Sequence, residues 1–130
     1  MRRYKGPGAG AEWATAIAGD AAGNAYVSGS SFGSSTTQYD CATLSDDPSG
    51  TLRWTERYNG PGNFYDTPYA IAVHSTDIVY VTGSSGGIGT ALDYATIKYA
   101  GLSTFVASGS APRSAWSAGA DTGSGASSSP

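Results

Sequence analysis

Arg57-Tyr58-Asn59-Gly60-Pro61-Gly62 repeats Arg3-Tyr4-Lys5-Gly6-Pro7-Gly8 at an offset of 54 residues. The same offset lays Ala70-Ile71-Ala72 over Ala16-Ile17-Ala18, and Tyr80-Val81-Thr82-Gly83-Ser84-Ser85 over Tyr26-Val27-Ser28-Gly29-Ser30-Ser31. Asp93-Tyr94-Ala95-Thr96-Ile97 then matches Asp40-Cys41-Ala42-Thr43-Leu44 at 53, one residue being lost in a loop. Residues 3–33 and 57–87 are identical at 14 of 31 positions, more than shared composition produces. A period of this size with strand-like content is the mark of an architecture built from small repeated sheets.

Within one copy, Ala14-Thr15-Ala16-Ile17-Ala18 is a short apolar run that ends at Gly19-Asp20-Ala21-Ala22-Gly23-Asn24. That stretch is turn chemistry: Asp bonds its own downstream backbone, and Gly and Asn tolerate positive φ. Ala25-Tyr26-Val27-Ser28-Gly29-Ser30 follows, so the two runs read as a β-hairpin. The second copy gives Tyr69–Val73, a turn at His74-Ser75-Thr76-Asp77, and Ile78–Gly83. Gly/Ser/Thr loops are expected at 30–37 and 84–90. A third strand begins at Asp40, with Asp93–Tyr99 as its half-exposed, alternating counterpart. Ser45-Asp46-Asp47-Pro48-Ser49-Gly50 is a turn, and Thr51–Tyr58 the fourth strand. No sustained three-and-four apolar spacing supports a helix, and Gly recurs too often for one. The fold class is therefore all-β, with four short antiparallel strands per unit, the measure of a propeller blade. The apolar second strands are expected to pack face to face between blades.

The composition agrees. In 130 residues there are 19 Gly and 9 Tyr, and only 13% are charged. The formal net charge of −3 supplies no cationic face for a nucleic-acid backbone. No run approaches the roughly 20 apolar residues of a membrane span. The start, Met1 to Pro7, is polar and lacks the apolar region of a signal peptide. Cys41 is the only cysteine, which excludes an internal disulfide; it reads as a small strand residue.

The ordered set Arg57–Gly62, Ala70–Ala72, Gly23-Asn24, Tyr80–Ser85, Asp93–Tyr99 and Asp47–Trp54 resembles the bacterial SBBP β-propeller repeat. The resemblance covers about residues 3–100, as repeats over 3–56 and 57–100. It implies four-stranded blades in a closed ring, in large bacterial proteins that are often exported or surface-associated. An extracellular or cell-envelope location follows from the resemblance alone. It carries no catalytic residues.

The chain also departs from that pattern. After Tyr99 a Gly turn and a strand ending in Trp are expected, but Ala100-Gly101-Leu102-Ser103-Thr104-Phe105 follows. From 101 to 130 the sequence is low in complexity, rich in Ser, Ala and Gly. A disordered tail or linker is one reading; out-of-frame translation of a GC-rich gene is the other. Met1-Arg2-Arg3-Tyr4 aligns with Thr55-Glu56-Arg57-Tyr58, inside a fourth strand. The expectation is a partial propeller of about two blades, part of a larger protein or joined to other copies through its open blade faces.

Candidate chemistry is sparse. His74, the only histidine, has no second His or nearby Cys to make a zinc site. Asp40, Asp46, Asp47, Asp66, Asp77 and Glu12 lack the alternation of a calcium loop, and turn roles fit them better. Ser31 and Ser85 each centre a G-x-S-x-G pattern, but two copies of one loop argue for a repeated turn, and no helix follows as a nucleophile elbow requires. Gly83–Gly89 lacks the Lys-[Ser/Thr] of a phosphate loop. Tyr58, Tyr65, Tyr69, Tyr80, Tyr94 and Tyr99 could build a sugar- or peptide-binding surface, or simply pack strands. No catalytic, metal or cofactor site is assigned. The functional expectation is a non-enzymatic structural or interaction module. The alternative is a piece of a carbohydrate-binding or enzymatic propeller whose site residues lie elsewhere.

Overall fold

A computed structural model describes residues 1–100, 103–108 and 117–118. The first sheet contains β1 (Glu12–Gly19), β2 (Ala25–Ser34), β3 (Gln38–Asp46) and β4 (Leu52–Tyr58), in that order and antiparallel throughout. The second contains β5 (Asp66–Ser75), β6 (Ile78–Gly86) and β7 (Leu92–Ala100) in the same order. Its backbone ladder continues through β8 (Ser103–Ser108) and β9 (Ser117–Ala118). The rest of the stretch read as a tail, 101–130, lies outside the described residues. No helix occurs among the described residues, and the all-β expectation holds.

The repeat in sequence is a repeat in register. Ile17 faces Val27 across β1 and β2, as Ile71 faces Val81 across β5 and β6. Both hairpins slip by one residue at the same repeat position, between Ala14 and Ala16 and between Pro68 and Ala70. A bulge there re-aims the start of each first strand.

Two expectations need correction. The Gly/Ser/Thr stretches are not loops along their whole length: β2 runs to Ser34 and β6 to Gly86. The ladder persists because these residues are paired on both sides, Ser30 and Ser31 with β1 and β3, and Ser84 and Ser85 with β5 and β7. The turn expected over His74–Asp77 is also tighter, since His74 and Ser75 finish β5. A bulge between Val73 and Ser75 and a positive φ of 61° at Asp77 make the shorter reversal possible.

The two sheets stack face to face. Tyr26, Cys41, Val79, Val81, Ile97 and Tyr99 form the buried core, with Trp54, Tyr58, Ile71 and Val73 packed around it. The parity of these residues decides the geometry. The repeat partner of Tyr26 is Tyr80, yet it is Val79 and Val81 that enter the core. Successive strand residues point to opposite faces, so the first sheet presents one face to the join and the second presents the opposite one. Tyr26 of β2 and Val79 and Val81 of β6 share that core from non-equivalent repeat positions.

Candidate functional site

The outer face of the first sheet carries a cavity of about 250 Å³. Tyr4, Trp13, Ala14, Val27, Ala42 and Leu44 are among its lining residues. Their repeat partners are Tyr58, Thr67, Pro68, Val81, Ala95 and Ile97, and all of these line the corresponding place on the second sheet. There the first sheet, with Cys41, closes the space to about 10 Å³. One location in the repeat is therefore filled at the join and open on the outside. Exposure follows: Ile17 is 70% exposed, whereas its partner Ile71 packs against the core.

Polar groups lock the join. The Arg53 guanidinium donates to both Asp77 carboxylate oxygens, at 2.7 Å each. The Trp54 Nε1–H donates to Asp77 Oδ1 at 2.8 Å, and the Asp77 N–H donates to the Tyr26 hydroxyl at 2.9 Å. Tyr26 in turn donates to Asp20 at 2.7 Å. Arg53 beside it holds the Asp77 carboxyl below the usual range.

A second network pins the loops. Gly6 N–H donates to Glu12 at 3.2 Å, and Gly60 N–H to Asp66 at 2.8 Å, so the repeated Gly-Pro-Gly is tied to the repeated acid. Asp66 is 1% exposed, and burial pushes its pKa up. Arg57 donates to the Ser31 hydroxyl, to the Ser31 carbonyl at 3.0 Å, to Tyr4 at 3.2 Å and to buried Asp40 at 2.9 Å.

These contacts settle the local roles of most candidates. Ser31 serves Arg57, and Ser85 donates to Asp66 at 2.6 Å, both inside strands. Asp47 accepts from the Ser49 and Thr51 N–H groups at 2.9 Å each, closing its own turn. Asp46 pairs with Arg2 at 2.6 Å. Among the described residues no three His, Cys, Asp or Glu side chains converge as metal ligands. His74 is exposed near the end of β5. Cys41 is buried, and its thiol is pushed up to about 11.

The tyrosines divide. Tyr99 is in the core and Tyr58 packs against it, while Tyr65, Tyr69 and Tyr94 are exposed. Tyr80 is half-exposed, with the Lys98 ammonium 5.8 Å from its ring centroid. Trp13, Tyr39 and Tyr65 form an aromatic row, with centroids 5.0 and 5.8 Å apart and the Tyr39–Tyr65 pair nearly parallel at 11°. Sequence reading gave no site role to Trp13, Tyr39, Arg53 or Arg57. Only Arg57 carried a signal, its recurrence with Arg3. No protein-family model matches the chain, and no curated protein matches it at a significant level.

Proposed function

We propose that this chain is a non-enzymatic structural or interaction module, a partial β-propeller whose first sheet offers an open outer seat to a further sheet of the same kind. The observation that carries the reading is the shared seat: about 250 Å³ when open, about 10 Å³ where the neighbouring sheet fills it. The resemblance to SBBP repeats supports the same reading and suggests a larger bacterial protein of the envelope or exterior. Burying apolar surface such as Ile17 contributes roughly 25 cal/mol per Å², so an added blade stabilises the stack. Inserting one extra copy of residues 3–56 ahead of Arg3 tests this. The longer chain should unfold cooperatively at a higher urea midpoint. An unchanged midpoint, or independent unfolding of the added copy, would overturn the reading.

A second reading, a carbohydrate-binding propeller, is favoured by the Trp13–Tyr39–Tyr65 row. Trp13 is 55% exposed and Tyr65 41%. Aromatic faces of this kind stack on apolar sugar surfaces while polar rims take hydroxyls. Trp fluorescence titrated with a panel of oligosaccharides, against a Trp13→Ala control, distinguishes it from the first.

A further inference from the structure

We propose that copies of this chain join head to tail, the outer face of β5–β6–β7 of one copy seated on the outer face of β1–β2–β3 of the next, with Tyr94 entering the cavity beside Ala14 and Leu44. The inference rests on the stacking reading above and names the partner for the seat.

The internal join supplies the template. Tyr26, Ser28, Cys41 and Thr43 are buried because the second sheet covers them. Their repeat partners Tyr80, Thr82, Tyr94 and Thr96 occupy the same lattice on the outer face of the second sheet. Thr82 and Tyr94 are exposed, and Tyr80 and Thr96 half-exposed. That face is thus built like the one already known to fill a seat.

The knob and the hole differ together. At the internal join Cys41 meets a wall that includes Pro68. At the outer seat the incoming residue is Tyr94, 63% exposed, and the wall has Ala14 in place of Pro68. A larger side chain meets a site relieved of ring atoms and about 250 Å³ in volume. A buried Tyr removes about 150–250 Å² from water.

At the outer edge Arg2 and Tyr4 of the receiving copy stand where β8 of the incoming copy would reach. The contact is therefore carried by β5, β6 and β7.

The two faces are different surfaces, so the contact is heterologous and each joined copy keeps one free face. Growth then ends in a ring or continues as a filament.

Sedimentation velocity of the full chain over a broad concentration series tests the proposal. Tyr94→Glu blocks the knob and Ala14→Arg blocks the seat; both positions are exposed, and circular dichroism checks that each variant folds. The wild-type mass should rise with concentration, and each variant alone should stay monomeric. An equimolar mixture should form a one-to-one dimer and nothing larger, because one usable face of each kind remains. Tyr94→Ala should weaken wild-type association by roughly 30-fold or more, as loss of a central aromatic anchor does. Association of either blocked variant alone, a mixture that stays monomeric, or a folded wild type that is monomeric throughout would each overturn it. If the wild type is monomeric while the chain with an extra repeat is stabilised, the self-joining fails and the stacking reading stands. If the extra repeat adds nothing, the stacking reading itself fails.

Discussion

Arg53 on β4 holds Asp77, in the turn between β5 and β6, through two guanidinium hydrogen bonds of 2.7 Å each. This fork joins the first sheet to the second at the rim of their shared core. Both side chains are about a quarter exposed, 26% and 24%, so solvent screens part of the attraction. The geometry is nonetheless bidentate, and the same carboxylate also receives the Trp54 indole N–H.

Removing the Asp77 carboxylate should therefore cost more than one exposed ion pair. Asp77→Ala is expected to lower stability by about 2 kcal/mol, through lost charge-assisted bonds and an Ala forced to positive φ. Asp77→Gly separates the two causes, because Gly adopts that φ freely. Urea midpoints of the two variants should both fall, the Gly variant by less. A midpoint unchanged in Asp77→Gly would mean that the fork contributes nothing.

Asp77 and Asp66 should act in opposite directions with pH. The folded pKa of Asp77 is lowered by Arg53. Its contribution is full above the unfolded value of about 3.9 and is lost as pH falls through the folded value. The folded pKa of Asp66 is raised by burial. Its contribution is full below about 3.9 and is lost as pH rises through the folded value. Asp66→Asn should therefore be more stable than wild type at neutral pH, with the gap closing in acid. Urea unfolding from pH 3 to 8 (roughly the window set by these carboxylates) measures the gap. A constant difference would show that ionisation of Asp66 is not its source.

Gly29 and Gly83 stand at one repeat position, where a Cβ would run into the backbone of the neighbouring first strand. A backbone atom cannot rotate away, so the β1–β2 or β5–β6 pairing must shift. Gly29→Ala and Gly83→Ala should each destabilise by about 2–4 kcal/mol. Thermal unfolding of both tests the equivalence. A neutral result at one position would mean that its hairpin spreads without cost.

Cys41 and Tyr94 are repeat partners but are not interchangeable. The join beside Cys41 leaves about 10 Å³, far too little for a phenol ring. Cys41→Tyr should destabilise by about 2–3 kcal/mol through overpacking. The wild-type thiol should react with an aromatic disulfide reagent only after unfolding, since it is buried and its pKa is pushed up to about 11. Rapid labelling of the native chain would contradict the packing of the join.

Much of the fold was legible because strand and turn chemistry are local. Gly23 and Gly50 adopt φ of 88° and 86° in turns read directly from Asp, Gly and Asn. The alternation of β7 is visible in its letters and returns as alternating burial of Ala95, Ile97 and Tyr99. The strand ends were less legible. Ser30–Ser34 and Ser84–Gly86 have loop composition, and pairing with the strands on either side keeps them extended. The candidate site was legible as a list of tyrosines but not as a place, because exposure depends on which sheet covers which.

The amino-acid sequence by itself determined a 54-residue repeat, all-β content and the turns at Asp20–Gly23 and Asp47–Gly50, since each depends on local chain chemistry. The tertiary structure alone decided that Tyr26 is fully buried while its twin Tyr80 is half-exposed, and that Cys41 fills a seat while Tyr94 faces outward. Identical strands have two faces, and their letters do not say which one meets a neighbour. That choice is made where the sheets stack, by the long-range grip of Arg53, Trp54 and Tyr26 on Asp77.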